Sequence, residues 1–200
     1  SEGSGGAAAG AAAAGEGVEA AASRLFQGWL GDGDDPEFRA ALSASEELGR
    51  AVEASKAEAR ERLGRVLKLY EARLQPVEPD GNCQFRALSA QLYGEQAHHA
   101  VLRQRVARQL REQRGRYEAY VQGSFDEYLE RMQREGEWGD NVTLQAASDL
   151  LGCEIRVLTD QPGAGGVVEV QPLESMTGAR QRPLCLTFLT EVHYDSAEIS

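Results

Sequence analysis

The chain has little of what builds a metal centre or a disulfide framework. Its three cysteines, Cys83, Cys153 and Cys185, stand far apart with no CxxC pair. Of its three histidines only His98 and His99 are close in sequence, and adjacent residues do not share a helix face, so they read as solvated surface residues. No metal or organic cofactor is expected, and reduced thiols fit the cytoplasm or the nucleus. Long apolar runs are also missing: none approaches the ~20 residues that span a bilayer, and the first residues lack the basic start and apolar core of a signal peptide. A soluble intracellular protein without a membrane partner is expected. Basic charge is scarce too. A net charge of −11, with no arginine cluster interleaved with aromatics, speaks against nucleic acid. The glycines at 163, 165 and 166 lack the strand-to-helix context of a phosphate loop and read as a hairpin. No internal repeat is visible, and 200 residues suit one domain of ordinary size plus appended sequence, expected to be monomeric.

What is present divides by composition. Residues 1–17 are almost all Gly, Ala, Ser and Glu, which cannot bury enough apolar surface to offset ordering, and read as a flexible tail. Residues 18–73 read as a helical extension. A short amphipathic stretch ends at Gly31–Asp35, and a long helix from Pro36 to about residue 73 carries Leu48, Val52, Ala59, Leu63, Val66, Tyr70 and Leu74 along one face. That stripe suits packing on its own domain better than a coiled-coil seam, because Ser55 and Ala59 are weak seam residues. Residues 74–200 read as the main domain. Helices are expected after Cys83, around Val101, Val106 and Leu110 with an arginine-rich outer face, and around Phe125–Met132. Another is expected from Thr143, its cap, to Gly152. Then the period changes. Residues 153–159, 167–171 and 184–190 are short, β-branched or aromatic and bounded by Gly or Pro, as strands are. Helices followed by clustered strands predict an α+β or mixed α/β domain with one sheet.

Two places carry chemistry. Residues 80–93, DGNCQFRALSAQLY, put Cys83 between a turn-forming Asp80-Gly81-Asn82 and a helix start, where free N–H groups and the positive dipole end favour a thiolate. A lone cysteine also simply packs, and the tetrapeptide alone does not decide between the two. His193 follows the strongest strand in EVHYDS, and on an extended backbone Asp195 shares its face. A thiol nucleophile needs such an imidazole and a third group to orient it. A terminal strand with both residues facing water fits the spacing equally. Trp138, before Gly139-Asp140-Asn141, is a candidate for a substrate cleft, although tryptophan at such a turn more often anchors a loop on the core. Cys153 and Cys185 lie in apolar strand patterns and read as packing residues.

Three blocks, DGNCQFRALSAQLYG, EWGDNVTLQAASDLLGCEIRVL and LTFLTEVHYDS, occur in the order found in the ovarian-tumour (OTU) family of cysteine proteases. From about Leu74 to Ser196 the chain resembles that family, in wording its plant and algal branch. The resemblance implies a papain-related fold, a small central sheet packed between helices, and a deubiquitinase acting on ubiquitin, polyubiquitin chains and ubiquitinated proteins. It implies Cys83 as nucleophile and His193 as base and then acid. Asp80 matches the family's motif aspartate and is expected to shape the loop, Asp195 to orient His193, and the N–H groups of Cys83 and the Asp80, Gly81, Asn82 loop to form the oxyanion hole. Two rivals remain at this point: a silent ubiquitin-binding module, and a protease acting on another ubiquitin-like modifier.

Overall fold

The computed structural model describes residues 36–161, 163, 165–174, 182–189 and 193–199, so the expected tail and the amphipathic stretch before Gly31 lie outside the described residues. Helix α1, Pro36–Leu69, begins at its proline, whose fixed φ suits a first turn. It stops at Leu69 rather than near residue 73. Glu71 adopts a left-handed φ of 50°, and Ala72–Gln75 becomes strand β1. The sequence Ala-Arg-Leu-Gln is a good helix former, but pairing with the last strand, Ala72 opposite Ile199 through Gln75 opposite Ser196, overrides that preference. The chain divides into two compact units between Ser55 and Lys56; of the first, the described part is α1 up to Ser55. Along the predicted stripe Ala59 and Leu63 are buried, whereas Leu48 and Val52 are exposed.

The following helices are α2 (Cys83–Tyr93), α3 (His99–Glu112), the short α4 (Arg114–Tyr117) with a 3₁₀ turn at Glu118–Tyr120, α5 (Phe125–Met132) and α6 (Asn141–Leu151). Asp140, not Thr143, caps α6. Its carboxylate accepts the N–H groups of Val142 and Thr143 at 3.0 and 2.9 Å, and the Thr143 hydroxyl accepts the Asp140 N–H at 2.7 Å, closing a capping box. Gly152 ends the helix at φ 59°. Strands β2 (Ile155–Thr159), β3 (Val167–Val170), β4 (Leu184–Leu189) and β5 (His193–Ile199) join β1 in one sheet of order β1-β5-β4-β2-β3. Only the β2–β4 pair is parallel. The β2–β3 hairpin contains the glycines at 163, 165 and 166.

Helix α2 lies on β4 and β5, with α3 packed against α2 and α6. The far end of α2 is fastened by Gln91, which donates to the Ser196 hydroxyl and the Ala197 carbonyl at 2.8 and 2.9 Å and accepts the Cys185 N–H at 3.0 Å. Phe85, Leu88, Leu102, Leu110, Ile155 and Leu186 fill the core between them, each at most 1 % exposed. Cys153 and Cys185 are buried and outside any disulfide among the described residues.

Asp140 also accepts the Tyr128 hydroxyl at 2.8 Å, so it joins α5 to α6. Asp140→Ala is expected to lower unfolding free energy by about 1–2 kcal/mol in urea titration, and Asp140→Asn, which keeps a capping oxygen, to recover most of it.

Candidate active site

The loop before α2 is built by one carboxylate. Asp80 accepts the Asn82 N–H at 2.8 Å and the Asn82 side-chain amide at 3.0 Å, and Arg86, one turn into the helix, grips it from Nε and Nη2 at 3.1 and 2.8 Å. This Arg86 fork, with the Asn82 donors adding to it, holds the Asp80 carboxyl well below the usual carboxylate range. The contribution is therefore complete at neutral pH and is lost only as pH falls below that range, so Asp80 does not set the acid limb of a neutral-pH activity. Among the described residues Asp80 makes no hydrogen bond to His193; it positions the loop.

The same bonds narrow the expected oxyanion hole. The Asp80 N–H donates to the Glu78 carbonyl at 2.9 Å, the Asn82 N–H to Asp80, and the Cys83 N–H to the Asp80 carbonyl at 3.1 Å. Three of the four expected donors are thus consumed in forming the turn. The Gly81 N–H makes no hydrogen bond among the described residues, and it is the loop donor left for an oxyanion. Gly81 is required sterically as well: a Cβ there would overlap the Gly136 carbonyl.

Cys83 is the first residue of α2, and the backbone amides of Gln84 and of Tyr194 on β5 act on its thiol in the direction of the thiolate. The packing of α2 on β5 sets the nucleophile loop beside the strand that carries His193 and Asp195. His193 and Asp195 lie on one face of β5, with His193 Nε2 3.1 Å from Asp195 Oδ1. That oxygen also accepts the Val77 N–H at 2.9 Å, so the carboxylate is fixed from both sides. With Nε2 engaged, Nδ1 is the ring nitrogen available to the thiol. The arrangement has a nucleophile, an imidazole and an orienting acid, the parts of thiol acyl transfer.

The predicted thiolate preference is corrected here. Burial pushes the Cys83 thiol up; the two N–H donors act against that, and the Asp80 and Asp195 carboxylates reinforce it. Solvation outweighs the helix end because the thiol is only 4 % exposed. These influences favour the protonated thiol as the resting group.

Beside the site a cleft of about 630 Å³ runs over β2 and β3, walled by Trp138, Gly139, Leu144, Val170, Phe188 and Tyr194. Trp138 is 54 % exposed, so it does not anchor its loop on the core; it stands at the cleft. Gln84 connects cleft to nucleophile: its side chain accepts the Thr143 hydroxyl at 2.7 Å, donates to the Asp140 carbonyl at 3.2 Å and hydrogen-bonds the Tyr194 hydroxyl. Burial pushes Tyr194 up to about 12 and keeps it neutral.

Two positions depart from the sequence reading. His99 is not a solvated residue: its side chain is only 12 % exposed, with Nδ1 3.0 Å from the Gln96 carbonyl and close to Arg86. Arg103 belongs to a helix whose outer face is basic, yet it is buried against the nucleophile loop. An arginine at a core-facing position, one residue after Leu102, was the available signal.

Residues 78–197 match the protein-family profile described as OTU-like cysteine protease. The chain belongs to this family. It is 45 % identical over 136 residues to OVARIAN TUMOR DOMAIN-containing deubiquitinating enzyme 9 of Arabidopsis thaliana, covering 68 % of this chain and 38 % of that protein. It is 40 % identical over 136 residues to enzyme 12 of the same series, covering 68 % and 60 %. The chain thus spans less than two thirds of the length of these relatives. Among solved structures, the OTUD1 OTU domain superimposes with a TM-score of 0.60 at 23 % identity, covering 72 % of this chain and 97 % of that one. An ovarian-tumour domain in complex with ubiquitin gives 0.53 at 19 % identity, covering 64 % and 70 %. These likenesses establish the OTU fold.

Because burial raises the Cys83 thiol, its alkylation by iodoacetamide is expected to be slow at neutral pH. It should climb through alkaline pH with a midpoint above that of free cysteine, as the rising pH removes the proton. The rate, followed by mass spectrometry, should show no plateau near pH 7.

Proposed function

We propose that this chain is a thiol-dependent deubiquitinating peptidase that cleaves the isopeptide or peptide bond after the C-terminal glycine of ubiquitin. The observation that carries the reading is helix α2, with Cys83 as its first residue, packed along β5, where Asp195 engages the ring Nε2 of His193. The names of the plant relatives and the OTU domain bound to ubiquitin support the substrate.

In the first half-reaction the sulfur of Cys83 attacks the glycine carbonyl while its proton passes to His193 Nδ1. The developing oxyanion faces the Gly81 N–H, a donor whose loss would cost about 10²–10³ in rate by analogy with other oxyanion holes. The C–N bond then breaks, and the departing amine takes the proton from His193, leaving a thioester on Cys83. In the second half-reaction His193 draws a proton from water, the hydroxyl adds to the thioester carbonyl, and the thiol is regenerated with that proton. Asp195 keeps the ring oriented and stabilises its charged form. The cleft wall at Trp138, Phe188 and Tyr194 offers an apolar track leading toward Cys83 for the extended ubiquitin tail. Three buried cysteines outside any disulfide among the described residues support action in a reducing compartment, the cytoplasm or the nucleus.

A ubiquitin bearing a C-terminal vinyl electrophile tests this directly. One covalent adduct on Cys83 is expected, absent in Cys83→Ala. An unlabelled wild-type chain, or an adduct that persists in the variant, contradicts the reading.

A further inference from the structure

Arg103 lies at the centre of an unusual junction. It is 2 % exposed, and its guanidinium rests 4.3 Å from the centre of the Phe85 ring. Nη2 donates to the Gly81 carbonyl at 3.0 Å, to Asn82 Oδ1 at 2.8 Å and to the Glu137 carbonyl at 2.6 Å, while Nη1 donates to the Met132 carbonyl at 3.1 Å. Asn82 Oδ1 also accepts the Gly136 N–H at 3.0 Å. Asn82, although at the N-cap of α2, makes no side-chain capping bond, because its amide is committed here. One buried cation therefore joins the nucleophile loop to the segment 132–137, and that segment leads straight to Trp138 on the cleft wall.

The junction governs a particular peptide plane. The Gly81–Asn82 peptide has its carbonyl held by Arg103 and its N–H held by Asp80. The Gly81 N–H, the donor left for the oxyanion, belongs to the same residue as that carbonyl, so anchoring the carbonyl on Arg103 fixes the position of the residue that carries the donor. A buried guanidinium with carbonyl acceptors on two loops is suited to this task in a way an ammonium is not, since its donors form a rigid planar fork. The cation is costly to bury, and this set of acceptors offsets that cost only while both loops stay in place.

We propose that Arg103 is a positioning residue for the deubiquitinating reaction: acting through Gly81 and Asn82, it fixes the oxyanion donor and holds the Trp138 segment in register with it. The proposal rests on the functional reading above. Its test separates transition-state stabilisation from thiol reactivity. Alkylation by iodoacetamide at Cys83 forms no oxyanion, whereas hydrolysis of a fluorogenic ubiquitin C-terminal amide does. Arg103→Lys is expected to lower kcat by about 10²-fold, the scale of a misplaced reacting group, with a smaller change in KM and an unchanged alkylation rate. Asn82→Ala, which removes the acceptor shared by Arg103 and the Gly136 N–H together with the side-chain bond to Asp80 and leaves the cation, is expected to lower kcat by about tenfold or more, the scale of a few hydrogen bonds, with alkylation again unchanged. It carries the test if Arg103→Lys does not fold. Loss of alkylation and turnover in parallel in the folded variants, or an unchanged kcat in Asn82→Ala, overturns the proposal alone. A wild-type chain that is alkylated at Cys83 but turns over no ubiquitin amide overturns the functional reading and this proposal with it.

Discussion

The seating of helix α2 along strand β5 is the interaction on which the site depends. Its far end is fastened by Gln91 on Ser196 and Ala197, and at its near end the Tyr194 amide acts on the Cys83 thiol. Helix and strand match in length between these points: eight helical residues rise about 12 Å, and two to three strand residues span about 7–10 Å, a difference that the long Gln91 side chain bridges. Because the alignment is fixed, Cys83 and His193, more than half the chain apart in sequence, stand at the same end of the helix and strand. Burial of Phe85 and Leu88 beneath the helix holds it there, worth roughly 1.5–3 kcal/mol for each such side chain.

Burial that fixes the nucleophile also suppresses its ionisation. The helix end and two N–H donors favour the thiolate, but desolvation and two carboxylates outweigh them. In the proposed reaction His193 takes the activating step, and the geometry serves Asp195, whose oxygen is shared between the ring and the Val77 N–H. Val77 lies two residues beyond strand β1, so the edge strand that ends the helical extension also supports Asp195. The two aspartates divide the work: Asp80 shapes the loop and Asp195 orients the base.

Much of this was legible in the sequence because it rests on local rules. The turn before Cys83, the helix around Phe125–Met132, the Gly152 stop and the strands beginning near residues 155, 167 and 184 all follow from turn chemistry and periodicity. The shared face of His193 and Asp195 follows from strand alternation. What the sequence hid depends on partners distant along the chain. Strand β1 has a helix-forming sequence and is a strand only because β5 offers its edge. The oxyanion donors looked interchangeable until the turn was seen to consume three of them. Arg103 resembled its solvated neighbours, since no local pattern signals that the acceptors for a buried guanidinium come from residues 81–82 and 132–137. The choice between cleft and core for Trp138 was hidden for a similar reason: its exposure is set by the cleft, which β2, β3 and α6 create together.

The most direct measurement of the central claim is the tautomer of His193, read by nitrogen NMR of the histidine-labelled protein, with the resonance assigned by loss in His193→Gln. The geometry predicts a proton on Nε2, donated to Asp195, which leaves Nδ1 for the proton of the thiol. A ring protonated on Nδ1 with Nε2 bare would contradict the Asp195 contact. A doubly protonated ring that loses its charge in Cys83→Ala would contradict the resting thiol.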